Sequence, residues 1–157
     1  MKTRPATADD YEFVYQVKVD ALKEYIAQTW GWNDRVQSEF HERNFSPENM
    51  EIILQDDDNA GFLVVEELEE EIRLNEINLL KRFQRKGIGS EIIRAIQKDA
   101  ATKEKRIWLQ VLKVNPAIRL YKRLGFRTYA ETDTHYQMIH GEQTGGVNEC
   151  SAAAPHS

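Results

Sequence analysis

Residues 84–90 read Gln-Arg-Lys-Gly-Ile-Gly-Ser, shortly after an apolar stretch that ends at Leu80. Lys81, Arg82, Arg85 and Lys86 place four cations within six residues. Gly87 and Gly89 stand where a helical pattern opens, because Ile88, Ile92, Ile93 and Ile96 recur close to the helical period. A helix N-terminus leaves backbone N–H groups unpaired and carries partial positive charge. Glycine there lets an anion approach the main chain. The chemistry this favours is capture of a phosphate-bearing ligand.

Two other phosphate loops are excluded. G-x-x-x-x-G-K-[ST] does not occur, and G-x-G-x-x-G fails because Ile92 stands where the third glycine is needed. What remains is Q-x-x-G-x-G between a strand and a helix. By itself it is compatible with a ligand loop or with a tight turn carrying solvated basic side chains.

A second stretch, Asn115-Pro116-Ala117-Ile118-Arg119-Leu120-Tyr121-Lys122-Arg123-Leu124-Gly125-Phe126, follows another apolar strand at 107–111. Together the two stretches resemble the GNAT superfamily of acetyl-CoA-dependent N-acetyltransferases. The acyl-CoA motif [QR]-x-x-G-x-[GA] is matched by Gln84, Gly87 and Gly89. The second motif, N-x-x-A-x-x-x-Y-x-x-x-G-F, is approached by Asn115, Tyr121, Gly125 and Phe126, with the small residue at Ala117, two positions after the asparagine instead of three. The resemblance covers most of residues 1–140. It is specific for the family and not for a substrate.

The resemblance implies a set of roles. Arg85, Lys86, Gly87, Ile88, Gly89 and Ser90 would present backbone N–H groups to the pyrophosphate of acetyl-CoA, with Gln84 starting the turn. Ile77, Asn78 and Leu79, together with Lys81, would pair through the backbone with the pantetheine arm, as an added strand does. A bulge in that strand would splay it from its neighbour and open the slot. The oxyanion donor would be a backbone N–H at Leu79 or Leu80. Tyr121 would be the general acid for the leaving thiolate, against the plainer alternative of a core tyrosine beside Ala117 and Leu124. Asn115 would cap its helix and contact the pantetheine arm.

The base is less determined. Glu76 is the only carboxylate in the stretch 74–80, and a carboxylate in a partly buried cleft has a raised pKa suited to a base. It serves as base, or binds the acceptor's ammonium group, or points to solvent. Some relatives carry a glutamate where this chain has Gln110, which cannot act as a base.

The positioning elements follow from the pattern. A short strand at 2–5 precedes polar capping residues at 7–10 and a helix whose apolar stripe is Tyr11, Val14, Val17, Ala21, Leu22 and Tyr25. Trp30-Gly31-Trp32 ends it. Trp30 and Trp32 either line the acceptor site, which by resemblance these helices wall, or pack over the sheet edge. A second helix is expected at 33–44, with Val36, Phe40 and Phe45 inward. Strands follow at 51–55, 61–65 and 72–80, separated by turns at 56–59 and 66–71. After the helix that starts at Ile88 come a strand at 106–111, a helix capped by Asn115 with Pro116 in its first turn, and a closing hairpin of 126–130 with 135–139.

The chain has 157 residues, enough for one domain with a sizeable core. Its single cysteine, Cys150, allows no internal disulfide, and cysteine and histidine spacing offers no structural zinc site. No metal is expected. There is no apolar run of membrane-spanning length and no signal-peptide core, so a cytoplasmic location is the default. Residues 1–80 hold 7 Lys/Arg and 19 Asp/Glu, whereas residues 81–127 hold 14 and 3. That asymmetry suits a polyanionic ligand on the basic half and a cationic amine on the acidic half. Nucleic acid is disfavoured, since the basic half lacks interleaved aromatics. Residues 141–157, GEQTGGVNECSAAAPHS, lack periodicity and read as a disordered tail.

The resulting expectation is one GNAT-type α/β domain at 1–140, a mixed, largely antiparallel twisted sheet with helices on both faces. It would acetylate a primary amine from acetyl-CoA by direct attack in a ternary complex. A small-molecule amine is the first choice of acceptor, and a protein or peptide amine the alternative. The rival of another class is a non-catalytic acyl-CoA-binding module. A homodimer is left open.

Overall fold

The computed structural model describes residues 2–141. The expected tail, with Cys150, otherwise lies outside them.

Seven strands form one sheet: β1 (Lys2–Pro5), β2 (Met50–Gln55), β3 (Asp58–Glu67), β4 (Glu71–Leu79), β5 (Arg106–Leu112), β6 (Arg127–Glu131) and β7 (His135–His140). Their spatial order is β1-β2-β3-β4-β5-β7-β6, and only β4 and β5 pair in parallel. Helices α1 (Tyr11–Trp30), α2 (Asp34–Asn44), α3 (Ile88–Lys103) and α4 (Ala117–Arg123) complete the domain. The parallel pair is the one that needs a crossover, and α3 supplies it.

Strand alternation divides the apolar residues between two faces. Ile52 and Phe62 face one cluster with Val14 and Val17 of α1. Their chain neighbours Ile53 and Leu63 face the other, with Ile88, Ile92 and Ile93 of α3 and Tyr121 of α4. Helices therefore cover both faces, as the resemblance implied.

The turn between β2 and β3 is tighter than expected. Asp56 and Asp57 both take positive φ (51° and 72°), which suits the right-handed twist of a hairpin. The expected turn at 66–71 is shorter, residues 68–70, because Glu66 and Glu67 pair with Arg73 and Ile72 and Glu71 opens β4. Lys103 and Lys105 neutralise Glu67, and Arg73 and Arg106 neutralise Glu71.

The inward face of α2 corrects the sequence expectation. Val36 and Phe40 are 56% and 48% exposed. The buried contact is His41, 1% exposed, whose Nε2 donates to the Tyr11 carbonyl at 2.9 Å and whose ring lies 4.4 Å from that of Tyr11. A histidine carries the packing that an apolar pair was expected to carry, so the helix is rotated from its most hydrophobic stripe. Phe45 does pack inward, against the α1 cluster.

Candidate active site

β4 carries a bulge. Val64 pairs with Glu76, but Val65 pairs with Leu74, so Asn75 is an extra residue. The parallel register with β5 stops at the same place, running from Glu71 opposite Arg106 to Leu74 opposite Leu109. Beyond Leu74 the strand continues to pair with β3 alone, while β5 continues through Leu112 against β7. The two central strands separate where the bulge lies, and a slot opens between Glu76–Leu79 and the end of β5.

Hydrogen-bond alternation identifies which backbone groups face that slot. Leu80 N–H donates to the Ala60 carbonyl at 2.9 Å, so Leu80 turns toward β3. In an antiparallel ladder the direction reverses at each residue. Asn78 and Glu76 then point their backbone groups to β3, whereas Ile77 and Leu79 point theirs toward β5. The Leu79 carbonyl confirms the direction by accepting from Gln84 Nε2 at 2.8 Å. Of the two expected oxyanion donors, the Leu80 N–H is already engaged and the Leu79 N–H lies on the slot edge. The Lys81 N–H is also engaged, by Asp20 Oδ2 of α1 at 2.6 Å.

The basic turn leads from that edge into α3. A short 3-10 turn at Lys81–Phe83 precedes it. Arg85 and Gly87 both take left-handed conformations (φ 64° and 83°). Gly87 is the N-cap of α3 and no side chain caps the helix. The Glu91 N–H is the first to bond back, to the Gly87 carbonyl at 3.0 Å. The amides of Ile88, Gly89 and Ser90 therefore have no partner within the helix, and Arg85 and Lys86 flank them with exposed side chains. A Cβ at Gly89 would meet only Leu120 Cδ2, at 3.7 Å, so packing does not require glycine there.

Tyr121 lies on the α3–α4 face, 8% exposed, in T-shaped contact with Phe126 at 6.0 Å. Burial pushes its hydroxyl pKa up to about 12. Among the described residues nothing hydrogen-bonds that hydroxyl. The core-tyrosine alternative explains the burial of the ring but not of an unpartnered hydroxyl, which is costly in a dry site. Pro116, not Asn115, is the N-cap of α4, and Asn115 Oδ1 accepts from the N–H of its first residue, Ala117, at 2.9 Å from one position earlier.

Glu76 projects to the opposite face, opposite Val64 and beside α1. It is partly buried, and burial raises its pKa while Lys18 opposes the rise. Lys18 and His41 were not singled out in the sequence. Lys18 lies four residues after Val14 and three before Ala21, so the apolar stripe of α1 did signal that it turns inward. Its Nζ lies 3.3 Å from His41 Nδ1 and 6.0 Å from the centroid of the Phe62 ring.

Trp30 is 59% exposed, so it is not packed as core, and its ring lies 6.0 Å from that of His135 on β7. Trp32 donates from Nε1 to Asp34 Oδ1 at 2.6 Å. Both line an open cleft of about 460 Å³ with Gly31, Asn33, Val36 and Gln37. That cleft does not include Glu76 or Tyr121. Gln110 is held by Gln137, which donates from Nε2 to its Oε1 at 3.1 Å.

The family model described as the acetyltransferase (GNAT) domain matches residues 47–128, the segment that contains the bulge, the basic turn and α4. The chain belongs to the GNAT acetyltransferase family. Solved structures repeat its fold. The PaiA N-acetyltransferase of Thermoplasma acidophilum, in complex with coenzyme A, superposes with TM-score 0.74 at 16% identity, over 90% of this chain and 98% of that one. Ard1 of Thermoplasma volcanium gives 0.61 at 23%, over 88% and 95%. The ribosomal-protein-S18-alanine N-acetyltransferase of Escherichia coli gives 0.64 at 18%, over 94% and 99%. At these identities the likeness is one of fold. No curated protein matches the sequence. Among the described residues no helix is long and apolar enough to cross a membrane.

Proposed function

We propose that this GNAT domain transfers the acetyl group of acetyl-CoA to a primary amine by direct attack in a ternary complex, with a small-molecule amine as acceptor. The observation that carries the reading is the separation of β4 from β5 after Leu74. It leaves the backbone edge of Ile77 and Leu79 facing a slot that runs toward the free amides of α3. The donor set fits acetyl-CoA: Ile88, Gly89 and Ser90 offer amides to a pyrophosphate, Arg85 and Lys86 add charge, and Ile77 offers its backbone N–H and carbonyl to the pantetheine amides, which leaves the Leu79 N–H for the acetyl oxygen. The coenzyme A complex of the Thermoplasma relative supports this choice.

Acetyl-CoA supplies an activated thioester. The residues of this chain then divide the proton traffic. Glu76 accepts a proton from the acceptor's ammonium group, so that the neutral nitrogen forms the new C–N bond. The Leu79 N–H is the backbone donor on the slot edge for the developing oxyanion. As the C–S bond breaks, Tyr121 gives its proton to the thiolate; its raised pKa keeps it protonated at neutral pH.

A protein or peptide amine is the second reading, favoured by the open cleft beside Trp30 and Trp32 at the end of α1. The test is titration of the purified protein with acetyl-CoA, followed by thiol release against small amines and peptides. Binding with release for a small amine is the expected result. Release with peptides alone would replace the acceptor class, binding without release would favour a non-catalytic acyl-CoA module, and failure to bind would overturn the reading.

A further inference from the structure

Lys18 is a cation directed into the domain from the buried stripe of α1. His41, 1% exposed, uses its Nε2–H on the Tyr11 carbonyl, which leaves Nδ1 as an acceptor. Lys18 Nζ stands 3.3 Å from that nitrogen and donates to it. Burial lowers the pKa of His41, so the ring is neutral and adds no second charge. Below Nζ is the face of Phe62, which is fully buried and pairs with Asn78 on β4. Val64, two residues further along β3, pairs with Glu76. Lys18 and Glu76 thus face the same side of the sheet across adjoining positions, and each perturbs the other's proton affinity.

They do not form an ion pair. Among the described residues no carboxylate comes within the 4.0 Å of Lys18 Nζ that defines one. A desolvated ammonium with one weakly accepting nitrogen as its partner retains donors to satisfy. A desolvated carboxylate stands beyond it. Two opposite charges that are close enough to sense each other, yet apart, form a receptor for a molecule carrying the same two charges in reverse order.

We propose that the acceptor is an amino acid or a similarly small amino carboxylate, with its ammonium group on Glu76 and its carboxylate on Lys18. The inference rests on the acetyl-transfer reading for its amine site and adds the anionic half of the substrate. Lys18 is then a substrate-binding residue that determines specificity, and His41 positions it by fixing Nδ1 toward Nζ. An arginine-like fork is not needed, because a point charge over an apolar floor suffices to hold a carboxylate.

The test uses the full chain with the protein amino acids, β-alanine and 4-aminobutyrate, each compared with its amide or its decarboxylated amine. Thiol release and calorimetric binding in the presence of coenzyme A are both measured. For at least one amino carboxylate the wild type should show kcat/KM about tenfold or more above that of the matched uncharged amine. Lys18→Met should erase that preference, with the KM of the amino carboxylate rising about tenfold or more relative to that of its matched amine. Lys18→Arg, which keeps the charge should the apolar variant fail to fold, should retain most of it. Equal activity on amine and amino carboxylate, or a preference that survives Lys18→Met, would overturn the proposal while leaving acetyl transfer intact. Binding of an amino carboxylate that Lys18→Met abolishes, without thiol release, would leave the two-charge binding site standing but overturn its occupant as an acceptor, together with the transfer reading. Neither binding nor release for any amino carboxylate would overturn the proposal outright.

Discussion

Gln84 reaches back five residues to donate from Nε2 to the Leu79 carbonyl at 2.8 Å. The first residue of the basic turn is thereby tied to the last residue of the split strand. The anion-binding amides and the slot edge are held in one register by this bond. Gln84→Ala should cost only about 0.5–1.5 kcal/mol of stability, the usual net worth of one hydrogen bond. Its larger effect should be a several-fold rise in the Kd for acetyl-CoA. Gln84→Glu should be worse, because it sets an acceptor against a carbonyl and puts negative charge beside the pyrophosphate amides. A Kd for Gln84→Ala equal to that of wild type would show that the bond is incidental.

Two glycines near the site predict opposite kinds of damage. A Cβ at Gly87 would meet nothing within 4 Å, but φ is 83°. Gly87→Ala should therefore fold and lose about 1–2 kcal/mol through left-handed strain alone, with weakened acetyl-CoA binding. A Cβ at Gly61 would lie 2.1 Å from the Asn78 carbonyl oxygen and 2.9 Å from Leu79 Cα. Neither backbone atom can yield without parting β3 from β4. Gly61→Ala should cost about 3 kcal/mol or more, seen as a large drop in Tm. A Gly61→Ala protein as stable as wild type would contradict the β3–β4 register.

The legible parts of this chain were those governed by local rules. Gly87 and Gly89 after a strand, and Asn115-Pro116 before a helix, carry their structural meaning in two or three residues, and α3 and α4 start within a residue or two of expectation. The bulge at Asn75 is different. It depends on Val64 and Val65 choosing partners across the sheet, and nothing in the local pattern of β4 distinguishes Asn75 as the extra residue. The orientation of α2 escaped for a similar reason. Val36 and Phe40 form the apolar pair, yet tertiary packing selected His41, because Tyr11 offered its ring and its carbonyl together. Lys18 was readable from its place on the stripe of α1, but its link to Glu76 required the sheet.

Glu76 predicts a pH dependence with a definite sign. Burial raises its folded-state pKa above the unfolded value. Its contribution to stability is full below the unfolded pKa and is lost as pH rises through the folded one, where a desolvated carboxylate must ionise. Glu76→Gln should abolish that loss, so the variant gains stability relative to wild type on going from acid to neutral pH. In catalysis the same group must be ionised, so wild-type turnover should fall as pH drops through the raised pKa. That acid limb should vanish from the low residual turnover of Glu76→Gln. Thermal melts and kcat profiles over the same pH series check both. An unchanged acid limb would remove Glu76 from the role of base.

Tyr121 separates proton donation from packing. Its hydroxyl is buried without a partner among the described residues, and its pKa is pushed up to about 12 from an ordinary value of about 10. The stabilisation attached to the protonated phenol is full below about pH 10 and is lost as pH rises to about 12. Tyr121→Phe keeps the ring against Phe126 and removes only the oxygen. At neutral pH its Tm should match or exceed that of wild type, because no buried group loses a partner. At alkaline pH it should resist the loss of stability that wild type shows. The Kd for acetyl-CoA should stay within about twofold, since positioned acids contribute to rate more than to binding, whereas kcat should fall by about 10²–10⁴. A large rise in Kd with little change in kcat would instead make the hydroxyl a binding contact in the slot.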